Sequence, residues 1–271
     1  AEIVAEKGIA AYINACRSIV QRHVSQWRST INRLGRWVDF DNDYKTMDVD
    51  FMESVWWVFK TLWEKKLIYK GIKVVPYSTA LATGLSNFEA SSNYQEVQDP
   101  SVTILLALED EDAYLAIWTT TPWTLPSNLG VCIGSKIPYV KVRNTADGKI
   151  WYCAKDRYPS YAEKIKSLEI VCDISADTLI GRSYTPLFPY FTNLKNEGAF
   201  KIFSDDFVST EDGTGLVHMA PAFGEEDHRV MKAAGIHTFA CPIDAHGKFT
   251  EEVPDFQGQY VKDADKSIIR T

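Results

Sequence analysis

Two segments concentrate the side chains able to do chemistry. In the first, Thr119, Thr120, Thr121, Thr124, Ser127 and Asn128 place hydroxyls and an amide around Pro122 and Pro126. In the second, Gly213, Thr214 and Gly215 lead into His218, and Asp227 follows a small-residue stretch ending at Gly224. Neither segment pairs a serine or cysteine with an obvious base, so the chemistry indicated is the positioning of water and charge rather than covalent catalysis. Each residue alone also has a plain structural reading. A threonine run is a good strand former, a lone histidine usually sits satisfied in a core, and acidic residues such as Glu225, Glu226 and Asp227 cap a helix start. Zinc held by His218, Asp227 and His228 would match no usual ligand spacing, HExxH included. The sequence has no GxSxG elbow and neither GxxxxGK[ST] nor GxGxxG, so a serine hydrolase and a nucleoside triphosphate site are both disfavoured.

The elements that must position these groups read as follows. Alternation over 114–121 puts Leu115, Ile117, Thr119 and Thr121 on one strand face and Ala116, Trp118 and Thr120 on the other, and Pro122 stops the ladder. Further short strands are expected at 102–108, 138–142, 150–154, 168–172, 198–202 and 215–219, with helices at 158–166 and 225–234. The first seventy residues read instead as helical. Proline does not appear before Pro76, Phe51, Val55, Phe59, Leu62 and Trp63 recur at helical spacing, and Asp48 precedes them as a cap. Residues 34–43 carry turn chemistry between two helices. The texture changes after Pro76, which places a boundary near residue 85.

At 271 residues and 45% hydrophobic, the chain can bury a large core and is expected to form two units. No apolar run approaches the ~18–20 residues that span a bilayer, and the amino terminus has no signal pattern, so a soluble protein with no membrane partner is expected. Five scattered cysteines with no CxxC pair argue against a disulfide framework and a cysteine zinc site, and fit a reducing cytoplasm. A net charge of −7 confines any nucleic-acid contact to local patches.

The stretch from Trp118 to Asn128, and that from Gly213 to His218 running on to Asp227, closely resemble the two signature segments of the editing domain of isoleucyl-tRNA synthetases. Residues 34–44 and 76–81 resemble the stretch that leads into that inserted domain, connective peptide 1, in the eukaryotic cytoplasmic form. Editing domains of the valine and leucine enzymes place an arginine and an acidic residue around the proline after the threonines, where this chain has Pro122, Trp123 and Thr124. The resemblance implies an α+β fold: a helical connector over 1–84, a β-barrel-rich editing domain over 85–262, and a return towards the catalytic domain over 263–271. It implies hydrolysis of valine from mischarged Val-tRNA(Ile), with valyl-adenylate as a further candidate. The 3′ end of tRNA(Ile) and the rest of the synthetase would be the partners.

The HIGH and KMSKS motifs for ATP are missing, so the resemblance implies a piece able to edit but not to aminoacylate. ATP and magnesium would bind outside this chain, with no cofactor in it. A cysteine pair that some members carry near 76–79 is missing too, and no zinc is expected. As implied roles, Asp227 pairs with the α-ammonium of the aminoacyl group. Thr119, Thr120, Thr121 and Thr124 hold the terminal adenosine, orient water and contact the ester carbonyl. Asn128 is a second polar contact, and His218 is the wall that isoleucine's extra methyl strikes. A methylene is worth only ~1–3 kcal/mol in an apolar pocket, a scale for which isoleucine against valine in this very enzyme family is the standard case, so a second sieve is needed. The rival readings are a noncatalytic module that docks the tRNA acceptor end and a metallohydrolase using His218 and His228.

Overall fold

The computed structural model describes residues 2–271, with side chains from residue 4 onward. The chain divides into two compact units, 1–71 and 72–271. That division lies upstream of the boundary near residue 85 expected from the texture change, because residues 72–84 pair into the second unit. There β1 (Tyr77–Ser78) and β2 (Thr83–Gly84) form an antiparallel ladder, and the Tyr77 hydroxyl donates to the Ala245 carbonyl at 3.1 Å.

The first unit is helical, as the missing prolines and the 3.6-residue periodicity require. It contains α1 (Glu2–Lys7), α2 (Ile9–Arg33) and α3 (Val49–Glu64). The turn between the last two is organised by Asp39, whose carboxylate accepts from the backbone N–H groups of Asp41 and Asn42, both at 3.0 Å. Asp48 takes the N-cap position of α3, though its side chain makes no capping bond. Among the described residues α2 and α3 bury none, and Trp56, Trp57 and Trp63 are exposed.

After β1 and β2 the second unit continues with α4 (Asn87–Ser91), whose start carries a reciprocal capping box between Ser86 and Glu89. Its sheet contains β3 (Val102–Ala107), β4 (Tyr114–Thr119), β5 (Gly130–Ile133), β6 (Tyr139–Asn144), β7 (Ile150–Ala154), β8 (Leu168–Ile174), β9 (Lys201–Ser204) and β10 (Leu216–Met219). The spatial order is β8-β6-β7-β4-β10-β5-β9, with β3 also paired to β4. On its other edge β4 pairs with β7 near Tyr114 and with β10 at Trp118, so the sheet branches there.

One branch curls into a barrel. Residues 181–185 close it, since Tyr184 N–H donates to Phe200 O and Ile202 N–H to Arg182 O on the β9 side. Towards the end of β3, Glu109 N–H donates to Ser183 O and Thr185 N–H to Ala107 O. The β-rich expectation is met, with closure supplied by isolated bridges rather than a regular strand. The other branch, β7-β6-β8, forms a wing packed by α5 (Tyr158–Lys164).

Strand β4 serves two cores by alternation. Leu115 and Ile117 join the main cluster with Leu129, Ile133, Tyr184 and Phe200, whereas Ala116 joins Val140, Val142, Trp151 and Leu168. Elements absent from the sequence reading include β1, β2, α4, β5, the 3₁₀ turns of Pro122–Ser127, and α7 (Val261–Arg270). Residues 263–270 of the expected return segment, 263–271, lie in α7, which packs on the Pro122–Ser127 turns. There Asp265 accepts the Trp123 backbone N–H at 2.9 Å, in place of the missing intrahelical acceptor at the start of a helix. The remaining helix, α6 (Glu225–Ala233), follows β10.

Candidate active site

Both chemistry-bearing segments line one cavity of about 1360 Å³ in the second unit. β4 delivers the threonines and β10, its parallel neighbour, delivers His218. The turn before β10 depends on glycine. Gly215 has φ +76°, and a Cβ there would overlap that of Ala154, whose N–H donates to the Thr214 carbonyl at 2.8 Å. Arg157 clamps the same rim by donating to the carbonyls of Gly213 at 3.0 Å and Glu211 at 2.9 Å.

As the alternation requires, Thr119 and Thr121 come together, with hydroxyls 3.2 Å apart and the Thr121 N–H donating to Thr119 Oγ1 at 3.1 Å. Thr121 Oγ1 is 3.3 Å from Thr124 Oγ1. Thr120 lines the cavity separately and is exposed. The 3₁₀ turn after Pro122 folds Thr124 back, so that its hydroxyl donates to the Thr121 carbonyl at 2.8 Å.

His218 is buried and both of its ring nitrogens are engaged: Nε2 lies 2.8 Å from Thr124 Oγ1 and Nδ1 lies 2.9 Å from Asn128 Nδ2. Burial pushes its pKa down to about 4, so the ring is neutral near pH 7. With neither nitrogen free, it is poorly placed to bind a metal or to take a proton from water. His228 is engaged elsewhere, against the Phe239 ring and 3.3 Å from the Pro221 carbonyl. Among the described residues no three histidine, cysteine or acidic side chains gather as metal ligands.

Asn128 does not line the cavity. Expected as a substrate contact, it sits behind His218, donating to that ring and, at 2.9 Å, to the Gly130 carbonyl. Asp227 does line it, in the first turn of α6. Oδ2 accepts the Ala220 N–H at 2.8 Å, and among the described residues Oδ1 has no partner. Burial raises its pKa, with the Ala220 N–H acting the other way. The carboxylate folds over Gly224, where an added Cβ would stand 2.5 Å from Oδ2. Sequence reading gave that glycine no role, since its φ of −104° is ordinary and only the space above it matters.

Residues 1–234 match the family model described as tRNA synthetases class I (I, L, M and V). The chain belongs to this family. Among class I synthetases it is 52% identical over 274 aligned residues to "Isoleucine--tRNA ligase, cytoplasmic" of Mus musculus, covering 99% of this chain and 22% of that protein. It is 50% identical to the protein of the same name from Saccharomyces cerevisiae, covering 97% of this chain and 25% of that one. To "Isoleucine--tRNA ligase" of Chlamydia pneumoniae it is 49% identical, again over 97% and 25%. The chain thus spans about a quarter of the length of these synthetases. Among solved structures it is similar to the P. knowlesi cytosolic leucyl-tRNA synthetase editing domain, with TM-score 0.49 and 10% identity, covering 63% of this chain and 91% of that one. Among the described residues no helix is long and apolar enough to cross a membrane.

Proposed function

We propose that this cavity is an editing site that hydrolyses valine from mischarged tRNA(Ile), working as one module of a longer isoleucine-specific synthetase. The observation that carries the reading is the pairing of a raised carboxylate, with one oxygen open to the cavity, and a threonine cluster backed by a neutral histidine. An α-ammonium is the natural partner for Asp227, since a partly buried carboxylate gains most from a cation that hydrogen-bonds to it. Binding would then lower its pKa and secure the charged form.

In this account water adds to the ester carbonyl, the bond between acyl carbon and ribose oxygen breaks, and the ribose oxygen takes the proton. Thr119 and Thr121 supply hydroxyls that both donate and accept, suited to holding that water and the developing oxyanion, while Thr124, its hydrogen held by the Thr121 carbonyl, braces them. The aminoacyl ester is already labile, so orientation suffices without a strong nucleophile. His218 acts as a wall: a neutral, fixed ring that leaves room for a valyl side chain and strikes the additional methylene of isoleucine. The tRNA 3′ end and the remainder of the synthetase are the partners in this reading, and the cytoplasm is its setting.

The test is Val-tRNA(Ile) deacylation by this chain and by Asp227→Ala, with tRNA binding measured alongside. The variant should bind tRNA normally and lose at least about a hundredfold in hydrolysis, the scale of removing one partner of a buried charge pair. Unchanged hydrolysis would remove Asp227 from the mechanism, and binding without hydrolysis by the unaltered chain would favour a docking module.

A further inference from the structure

Behind His218 the hydrogen bonds continue into the barrel. Asn128 Nδ2 donates one hydrogen to Gly130 O and the other to His218 Nδ1, while Asn128 Oδ1 accepts from the Tyr184 hydroxyl at 2.5 Å. Tyr184 is fully buried and belongs to the 181–185 segment that closes the barrel. Reversing the amide would set Oδ1 against the Gly130 carbonyl and its nitrogen against the tyrosine hydroxyl, so the partners select one orientation.

That orientation decides where the histidine proton resides. An amide nitrogen has no lone pair to offer, so His218 Nδ1 is the acceptor and the neutral ring carries its hydrogen on Nε2. Nε2–H then donates to Thr124 Oγ1, whose own hydrogen is committed to the Thr121 carbonyl. All donors along Tyr184, Asn128, His218 and Thr124 therefore point the same way, from the barrel seam to the threonine cluster.

We propose that Tyr184 is a positioning residue for this site: its hydroxyl, acting through Asn128, holds His218 in the Nε2–H tautomer and fixes the ring as the wall of the cavity. Removing the hydroxyl strands Asn128 Oδ1 in the core. Only the Gly130 carbonyl then opposes reversal of the amide, so the form with Oδ1 towards an Nδ1–H becomes populated beside the original one, and in it the chain is reversed as far as Thr124. The proposal rests on the editing reading only for its catalytic consequence; the tautomer is a property of the free protein.

The test uses the chain labelled with ¹⁵N-histidine and a long-range ¹H–¹⁵N correlation at neutral pH. The five histidines give few signals, and His218→Gln identifies those of His218. In the unaltered chain His218 should show one protonated nitrogen, Nε2, and one bare nitrogen, Nδ1. Tyr184→Phe keeps the ring that meets Phe200 edge-on at 6.2 Å. It should give a mixture of tautomers and a several-fold loss of the preference for the valyl over the isoleucyl ester, smaller than the loss on removing the His218 ring, because a ring no longer fixed is a poorer wall. An Nδ1–H or cationic His218 in the unaltered chain overturns the proposal without any variant. So does a Tyr184→Phe chain that keeps a pure Nε2–H form. Loss of the single tautomer in a chain whose parent hydrolyses no ester supports the role of Tyr184 and contradicts the editing reading alone.

Discussion

Glu111 and Asp227 are both partly buried carboxylates of the second unit, and their surroundings move them in opposite directions. Burial would raise Glu111, but hydrogen bonds from Lys141, Arg182 and Tyr152 outweigh it and hold the group at about 2. Arg182 and the Tyr152 hydroxyl reach Glu111 Oε2, both at 2.7 Å, and Lys141 reaches the other oxygen. At Asp227 burial prevails, because a single backbone N–H is the main compensation. A saturated carboxylate has no capacity left for a ligand, whereas one raised by burial and open at one oxygen gains by binding a cation. The first cluster is built to stay shut and the second to be completed. The barrel seam borders both regions, for Arg182 belongs to the ionic cluster and Tyr184, two residues on, hydrogen-bonds to Asn128 behind His218.

The sharpest way to break this contrast is to crowd the open carboxylate without altering its charge. Gly224→Ala places a methyl against Asp227 Oδ2. It should cost roughly ten- to a hundredfold in deacylation, as expected for a displacement on the ångström scale, with little change in thermal stability. Deacylation at the unaltered rate would show that the position of Asp227 is unimportant.

The saturated cluster should answer in the other currency. Glu111→Gln removes a charge that three donors surround, and should lower stability by about 1–2 kcal/mol once solvent screening of this partly exposed group is allowed for. That corresponds to roughly 2–8 °C in Tm for a unit of this size, with the valine-to-isoleucine preference unchanged. Because the folded pKa is depressed, its contribution is present above the ordinary value of 4.5 and is lost as pH falls towards 2. Glu111→Gln should therefore flatten the acid limb of a stability profile over that window. A shift in substrate preference would mean that the two clusters are not separate.

Much of the site was legible because its logic is local. Alternation along β4 put Thr119 and Thr121 on one face, and their hydroxyls meet there. Proline after the threonines ended the strand, although nothing in the sequence foretold the 3₁₀ turn that brings Thr124 under His218. Apart from the role that the resemblance implied, Asp227 was legible as no more than an acid in a helix's first turn, which most helices carry. Its distinction comes from Gly224 and Ala220, whose proximity depends on how β10 leads into α6. Tyr184 was invisible for a different reason. It contacts Asn128 across the barrel, from a segment that closes the sheet by isolated bridges and has no strand pattern of its own. The helical unit was read from periodicity and the missing prolines, and the structure agrees, whereas α7 was passed over because its apolar positions are few.

The measurement that tests the central claim most directly is the ratio of kcat/KM for Val-tRNA(Ile) over Ile-tRNA(Ile) with this chain, set beside the same ratio for His218→Ala. The account predicts a strong preference for valine. In the variant that preference should collapse by roughly ten- to two-hundredfold, because the isoleucyl ester is now cleaved while the valyl ester is cleaved much as before. If both esters slow together and the ratio is kept, His218 is part of the hydrolytic machinery and not a wall, and the size-exclusion account of this cavity is wrong.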